Sequence, residues 1–574
     1  LRRKNKRKNS KDKDSLLVIP LGGIGEIGKN MFVVQFGEEI VVLDAGLKFP
    51  EEEMLGVDIV IPDLGYLLEN KKKIKAIILT HGHEDHIGAI PYVLGEVNVP
   101  IYGTRLTLGL LKRKLEEFGL LDGASLNEIS PGKELQLERI KAAFFATNHS
   151  IPDSVGVVLY TPAGNIVYTS DFKFDYTPVM GRTTDLHAIA DVGKEGVLVA
   201  LSDSTNAEQP GFTHSEIEVG DTLNNIFSSA EGRIVTVTFA SNVHRIQQIV
   251  NATSFAGRKL AVDGRSMVNV VEIAQELGYL HIPPGLLIDV DEVNKCPREN
   301  VVILTTGTQG EPLSALTRLA NANHKKFEII PGDTVVIAAT PIPGNEKLVS
   351  RTIDNLFKRG AEVIYEAVSG VHVSGHASQE ELKLMLNLLR PRYLIPVHGE
   401  YRHLIHHANL AEKVGLRKEN VFIVENGTVM EFTAERGSVV GSVQAEGVMV
   451  DGLGIGDVGS IVLKDRQLLS RDGIFIVVVT IDSSENKIVS GPDIVSRGFV
   501  YVKESEELME QAREKIAWAL EEMLDKKISE WTAIKNSIKD CTGKFLWEKT
   551  GRRPMILPII MEVRTAKTAQ QPAR

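Results

Sequence analysis

The sequence predicts an α/β protein with a layered sheet-and-helix body, a long insertion within that body, and a small α+β domain at the end. Three observations predict it. Short apolar runs bounded by turn residues recur from about residue 15, with amphipathic helical text between them. Between residues 301 and 390 strand and helix text alternate regularly, as in a sheet covered by helices. Several apolar runs end on a histidine or an aspartate, where open α/β sheets carry ligand groups.

Taken in order, residues 16–20, 31–36 and 40–43 read as strands, and residues 106–118 as an amphipathic helix. Strands recur at 197–201 and 234–239. Residues 435–459, rich in Gly and Val, read as a hinge or linker. Beyond it, 473–481 reads as a strand, 504–523 as a long charged helix and 555–563 as a last strand. Two stretches match G-x-G-x-x-G, Gly23-Ile-Gly25-Glu-Ile-Gly28 and Gly454-Ile-Gly456-Asp-Val-Gly459. A dinucleotide fingerprint must open a helix. Strand text follows both (Met31-Phe-Val-Val and Ser460-Ile-Val-Leu), so both are expected to be turns without a nucleotide.

The chain of 574 residues has room for two to four domains. Its 43% hydrophobic and 24% charged residues are those of a soluble globular protein. No apolar run approaches the ~20 residues needed to span a bilayer as a helix. No signal-peptide pattern is present, and a cytoplasmic protein is expected. Cys296 and Cys541 are the only cysteines, which excludes a disulfide framework and a zinc site built from thiolates. The net charge of −10 argues against a chain coated in nucleic acid, yet it allows a local basic groove. Residues 1–14, dense in Lys and Arg, are expected to form a disordered tail, either solvated or holding RNA loosely.

The chemistry concentrates in His81-Gly-His83-Glu-Asp85-His86, directly after an apolar run. Imidazole nitrogen and carboxylate oxygen are the donors that hold zinc or manganese. Four such groups in six residues exceed what one site takes from a single loop, so two cations are expected. That pattern suits a hydrolase whose nucleophile is a metal-bound hydroxide. His149, Asp171, His398 and Asp44 each follow another apolar run and are expected at the same rim.

This ordered set resembles the metallo-β-lactamase superfamily. The resemblance implies an αββα sandwich with a dinuclear site at one edge. It assigns His81, His83 and His149 to one metal and Asp85, His86 and His398 to the other. Asp171 would bridge them, and Asp44 would orient the loop from behind the ligands. His398 lies 227 residues beyond Asp171 (398 − 171), more than a compact sandwich needs, so a domain must be inserted between them. The spacing resembles the β-CASP branch, whose members cut nucleic acids. Its further motifs correspond to Ser202-Asp203-Ser-Thr-Asn206, Val371-His372-Val373-Ser374-Gly375-His376 and Pro396-Val-His398.

Four other stretches are similar to the ribonuclease J family: Leu21-Gly-Gly-Ile-Gly-Glu-Ile-Gly-Lys-Asn30, Phe239-Ala-Ser-Asn-Val-His-Arg245, the motif Thr306-Gly-Thr-Gln-Gly-Glu-Pro312, and Gly551-Arg-Arg-Pro-Met-Ile-Leu-Pro558. The similarity covers about residues 15–565. It implies the metallo-β-lactamase body in two parts, 15–215 and 366–435, an inserted β-CASP domain at 216–365, a linker at 436–465, and a C-terminal α+β domain at 466–565 before a tail at 566–574. It further implies endonuclease action on RNA and 5′-to-3′ exonuclease action on 5′-monophosphate ends. The functions would be RNA maturation and decay, with a homodimer or homotetramer and RNA-decay partner proteins.

On this reading two divalent cations, zinc first and manganese second, activate water against the phosphodiester. Asp85, Asp203 and His376 are the candidate catalytic residues, with His376 protonating or stabilising the leaving 3′ oxygen. His372, Val373, Ser374, Gly375 and His376, together with Ser241, Asn242 and His244, are candidates for holding the 5′ phosphate. Arg245 is read either as a phosphate contact or as a structural ion pair. The alternatives are a DNA-directed nuclease of the same branch, a small-molecule metallohydrolase of the superfamily, and a non-catalytic RNA-binding scaffold. The ribonuclease J-like motifs, the insertion with His376 and the complete ligand set disfavour them in turn.

Overall fold

The computed structural model describes residues 15–563 except 181, 309–313, 342–344, 366–369, 483, 501–504 and 527–529. The tails 1–14 and 566–574, and part of the motif that starts at Thr306, lie outside the described residues. The chain forms two compact units, one of Leu1–Phe49 with Ile59–Val448, the other of Pro50–Asp58 with Met449–Arg574.

The first unit contains a two-sheet sandwich. Its eight-stranded sheet runs, from one edge to the other, through Gly437–Ser442, Thr428–Phe432, Leu16–Gly22, Met31–Phe36, Glu39–Leu43, Ile74–Ile78, Ile101–Gly103 and Leu126–Glu128. The facing six-stranded sheet runs through Tyr393–Val397, Val199–Asp203, Gly164–Tyr168, Val155–Thr161, Lys141–Ala146 and Glu134–Gln136. Alternate residues such as Val18, Phe32, Val34, Val157, Tyr168 and Ile395 fill the space between the sheets. Each fully buried aromatic or aliphatic side chain there is worth about 1.5–3 kcal/mol. The other face of each sheet is also apolar and packs on helices, including Arg105–Glu117 on one side and Gln379–Leu389 on the other. Double coverage explains why these strands read as continuous apolar runs.

Val199–Asp203 pairs in parallel with Tyr393–Val397, and Asp203 stands opposite Val397. Between these neighbouring strands the chain builds a third sheet, of six parallel strands, from Ile234–Val237 to Glu362–Tyr365, with helices over both faces. A capping box at Ser215 and Glu218 starts its first helix, Glu216–Ser229. Parallel pairing needs long crossovers, so the regular alternation in the sequence is the trace of this sheet.

In the second unit, Ile474–Asp482 lies between Lys487–Arg497 and Met555–Val563 and packs on two 20-residue helices, Glu506–Asp525 and Trp531–Thr550. Residue 504, where the expected helix began, is outside the described residues. One expectation fails here. Ser460-Ile-Val-Leu463, read as strand text, opens an α-helix, Ser460–Asp472, that follows Gly459 directly. Ile461-Val-Leu463 imitates a strand, but the Lys-Asp-Arg-Gln-Leu-Leu that follows favours a helix. The reading without a nucleotide keeps a different support: Val450 and Asp451 pair antiparallel with Ile455 and Gly454, a hairpin rather than a βαβ unit. Gly437–Ser442, inside the expected linker, is a strand of the eight-stranded sheet.

Candidate metal centre and RNA site

Asp44, His81, His149, Asp171, Asp203 and His398 all lie at or just beyond the carboxyl ends of strands. Their loops converge on one rim of the sandwich. His83 is the residue before the short helix Glu84–Ile87, which carries Asp85 and His86 in its only turns. Two glycines let the loops meet. A Cβ on Gly46 would stand 1.6 Å from the Asp85 carbonyl oxygen, and one on Gly375 would stand 2.7 Å from the His149 ring.

Three overlapping donor groups result: His81, His83, His149 and Asp171; Asp85, His86, Asp171 and His398; and Asp171, Asp203, His376 and His398. Within each group the donor atoms lie within 4.8 Å of one another. Asp171 belongs to all three. Its Oδ2 is 3.2 Å from His86 Nε2, 3.6 Å from His149 Nε2 and 3.7 Å from His81 Nε2. Its Oδ1 is 2.8 Å from His398 Nδ1.

Four of the histidines are held by the nitrogen that faces away from the cluster. His86 Nδ1 lies 2.8 Å from Asp44 Oδ2, and His149 Nδ1 lies 2.8 Å from the Gly375 carbonyl. His81 Nδ1 meets Thr80 Oγ1 at 3.1 Å, and His83 Nε2 meets Ser150 Oγ at 3.4 Å. The opposite nitrogens of His81, His83 and His149 face one another, His83 Nδ1 being 3.1 Å from each of the other two. Ligands 2.0–2.1 Å from a tetrahedral cation stand roughly 3.4 Å apart, so the donor set fits a metal ion. Outer supports of this kind fix ring orientation in metal sites. Asp44 does most of this work, also accepting from Thr80 N at 2.8 Å and Tyr168 Oη at 3.0 Å.

Two further atoms fit a cation. Asp171 Oδ1 and His398 Nε2 are buried without a hydrogen bond, although each has an oppositely charged neighbour within 3.2 Å. The contacts are close but do not meet hydrogen-bond geometry. Uncompensated buried charges cost several kcal/mol, a cost that a bound cation offsets.

The electrostatics divide the cluster. Burial, reinforced by neighbouring histidines, holds His81 and His149 well below the usual imidazole range, and His83 at about 4. These three are neutral donors. Burial also opposes charge on His86 and His398, but adjacent carboxylates, Asp171 foremost, outweigh it and raise both well above the ordinary value. Burial would raise Asp171, yet His398 and His86 pull it far below the carboxylate range. This second half holds charge that protons balance when no cation does.

Beside the cluster, Asp203 Oδ2 lies 2.8 Å from His376 Nδ1, and its Oδ1 accepts from Thr205 N at 3.0 Å and Thr205 Oγ1 at 2.7 Å. Asp203 is 3.6 Å from His398 Nδ1, so its close partner is His376. Asn206 Nδ2 donates to Ser374 Oγ at 2.8 Å and to the His376 carbonyl at 3.1 Å, fixing that loop.

In the inserted domain Asn242 caps the helix Val243–Phe255, accepting from Arg245 N at 3.0 Å. Ser241 precedes that cap. His244 and His372 are both buried around a nitrogen, Nδ1, with no hydrogen bond. Burial lowers them to about 4 and about 3, with Lys173 and Arg245 pushing in the same direction. Arg245 is wholly engaged, paired with Glu216 and donating to the carbonyls of Ala338 and Val371 at 2.9 Å, so it is a structural ion pair. Val373 packs against the inserted domain's core.

Sequence reasoning did not single out Thr80, Tyr168, Ser170 or Thr205. Thr80 precedes His81 and Thr205 sits within a quoted motif. Tyr168 is indistinguishable from any strand aromatic.

Against this geometry, comparison with known proteins is decisive. The family model described as Ribonuclease J, beta-CASP domain matches residues 231–356, and Ribonuclease J C-terminal domain matches 461–563. The Metallo-beta-lactamase superfamily model matches 24–207, and Zn-dependent metallo-hydrolase RNA specificity domain matches 360–424. Ribonuclease J2 of Bacillus subtilis (strain 168) is 49% identical over 553 residues, covering 96% of this chain and 100% of that protein. The chain belongs to the ribonuclease J family. Ribonuclease J 1 of Streptococcus pyogenes serotype M3 is 45% identical over 544 residues, covering 95% of this chain and 97% of that one. Ribonuclease J 2 of Staphylococcus aureus (strain NCTC 8325 / PS 47) is 44% identical over 553 residues, covering 96% and 99%. A solved protein of unknown function from Enterococcus faecalis V583 shares the fold, with a TM-score of 0.53 at 16% identity over 73% of this chain and 100% of its own. The ribonuclease J architecture of metallo-β-lactamase body, β-CASP insertion and C-terminal domain is thus that of this chain. No helix among the described residues is long and apolar enough to cross a membrane.

Proposed function

We propose that this metal-dependent ribonuclease binds two divalent cations, one on His81, His83 and His149, the other on Asp85, His86 and His398, with Asp171 between them. The observation that carries this reading is the convergence of three donor groups on Asp171, each within 4.8 Å. Imidazole and carboxylate together suit zinc best, and manganese can use the same donors. When bound, the cations supply Lewis acidity that activates water and neutralises charge on the phosphate.

The chain's own groups divide the remaining work. Asp44 holds His86 in one tautomer, and Gly375 does so for His149. Asp203 engages His376 Nδ1, which leaves Nε2 to face the substrate. Burial opposes charge on His376, but Asp203 outweighs it and raises the ring above its ordinary value. Asp203 therefore favours the protonated form of His376, which delivers its proton to the departing 3′ oxygen. The product keeps its phosphate on the 5′ side.

The enzyme acts as a 5′-to-3′ exonuclease on 5′-monophosphate RNA and as an endonuclease. The 5′ phosphate is held by His372, Val373, Ser374, Gly375 and His376 together with Ser241, Asn242 and His244. Support comes from the unpartnered nitrogens of His244 and His372, next to Lys173 and a helix start. We place it in the cytoplasm, as a homodimer or homotetramer with RNA-decay partners, with the β-CASP domain at 216–365 and the sandwich body running on through Gly437–Ser442. The test is cleavage of 5′-monophosphate RNA, 5′-triphosphate RNA, single-stranded DNA and a chromogenic β-lactam, with and without chelator. Metal-dependent cleavage confined to RNA, fastest on the monophosphate, is expected. Equal cleavage of DNA, or β-lactam turnover, would overturn the reading.

A further inference from the structure

The first glycine-rich turn, residues 22–30, reaches the metal centre at both of its ends. The His398 N–H donates to the Gly23 carbonyl at 2.7 Å, and Gly399 N donates to the Glu26 carbonyl at 3.0 Å. These bonds hold His398 in a left-handed conformation, φ 51°, that a non-glycine residue rarely adopts. At the other end of the turn, Asn30 is fully buried. Its N–H and its Nδ2 both donate to the Asp85 carbonyl at 3.1 Å, and Nδ2 lies 3.2 Å from His86 Nε2. One turn therefore braces Asp85, His86 and His398. No hydrogen bond or ion pair described above joins it to His81, His83 or His149.

The turn is itself clamped. Asn426 Oδ1 accepts from Ile24 N at 3.1 Å, and Asn426 Nδ2 donates to Glu26 Oε1 at 2.7 Å. Lys29 and Lys48 pair with the same Glu26 at 3.2 and 3.7 Å. Close packing also accounts for the glycines. A Cβ on Gly22 would stand 1.8 Å from the Lys29 carbonyl, and one on Gly23 would stand 2.4 Å from Asn30 Oδ1. That Oδ1 is buried without a partner, a cost of about 1–3 kcal/mol. Packing alone gives no reason for a buried carboxamide here; support of the ligands does.

We infer that this turn sets the geometry of the Asp85, His86 and His398 half of the centre, and that Asn30 and Asn426 are positioning residues for the cation bound there. The inference rests on the two-cation reading. Its consequence is asymmetric: loosening the turn weakens one cation and spares the other.

The experiment titrates metal-stripped full-length protein with Zn²⁺ and with Mn²⁺ by calorimetry, for wild type, Asn30→Ala and Asn426→Ala. Thermal melts are recorded in parallel. Asn426→Ala touches no ligand and keeps the test open if Asn30→Ala fails to fold. Two equivalents are expected in the wild type. In the variants the first equivalent is retained, and the second weakens by roughly 10–100-fold, the loss typical when an outer support is removed. RNA cleavage by the variants should recover with added metal through kcat, at unchanged KM. Equal weakening of both equivalents, or a lowered melting temperature with both affinities intact, would overturn the inference while leaving the two-cation reading in place. A wild type that binds a single equivalent would overturn both.

Discussion

His398 Nδ1 lies 2.8 Å from Asp171 Oδ1, across 227 residues of chain (398 − 171), with no hydrogen bond formed by that oxygen. The two side chains follow Gly164–Tyr168 and Tyr393–Val397, strands of one sheet with Val199–Asp203 between them, and flank the space shared by the donor groups. Everything proposed about this enzyme follows from what fills that space.

Asp44 is the simplest place to disturb it without removing a ligand. Asp44→Asn keeps the shape but loses the charge that fixes His86 Nδ1 at 2.8 Å. Metal affinity should fall roughly 10–100-fold with fold intact. Equilibrium dialysis against zinc measures this, and unchanged affinity would contradict the role given to Asp44.

Asp203→Asn should separate proton delivery from metal binding. It removes the charge that raises His376 and leaves the ligands named above in place. We expect kcat to fall roughly 10²-fold or more at unchanged KM, with two cations still bound. Loss of a cation in this variant would show that Asp203 serves the metals instead.

Ser374→Leu fills the loop where Ser374 Oγ accepts from Asn206 Nδ2 at 2.8 Å and from His376 N at 3.2 Å. The exonuclease rate on 5′-monophosphate RNA should drop more than internal cleavage of a circular RNA. An equal drop in both would remove the 5′-phosphate pocket from the account.

Acid should weaken the inserted domain and the wall behind Asp203. Burial lowers His244 and His407 to about 4 and His372 to about 3. Each is a base whose folded pKa lies below its unfolded value of about 6.5. The unfolded chain therefore takes up more protons between those values. The stability these groups allow is fully present above pH ~6.5 and is lost as pH falls toward 4 and 3. His407 Nδ1 meets Ser204 Oγ at 2.9 Å, a contact that a carboxamide can replace. His407→Gln should flatten the fall of melting temperature between pH 7 and 4. An identical slope would show that His407 does not contribute.

The converging donors were readable because strand ends mark themselves: an apolar run followed by His or Asp marks His149, Asp171 and His398 once the loop of His81 points to a metal. The insertion was readable from a single gap in spacing. Asp44 apart, the supports were not. Tyr168 reaches Asp44 from a strand where its ring also fills the core, and a one-dimensional pattern records only the burial. Asn30 and the turn before it looked like ordinary turn chemistry, because their partners stand 55 and about 370 residues away. Ser460-Ile-Val-Leu463 was misread because three apolar residues carry no period, and the helix Ser460–Asp472 declares itself only in the charged residues that follow.

The central claim is that two cations share Asp171 and that RNA cleavage requires them. The most direct measurement titrates chelator-stripped wild type and Asp171→Ala with Zn²⁺ while following cleavage of 5′-monophosphate RNA. The account predicts that wild-type activity returns as two equivalents bind, and that Asp171→Ala binds both poorly and stays inactive. Full cleavage by the stripped enzyme, or two tight equivalents in Asp171→Ala, would contradict it.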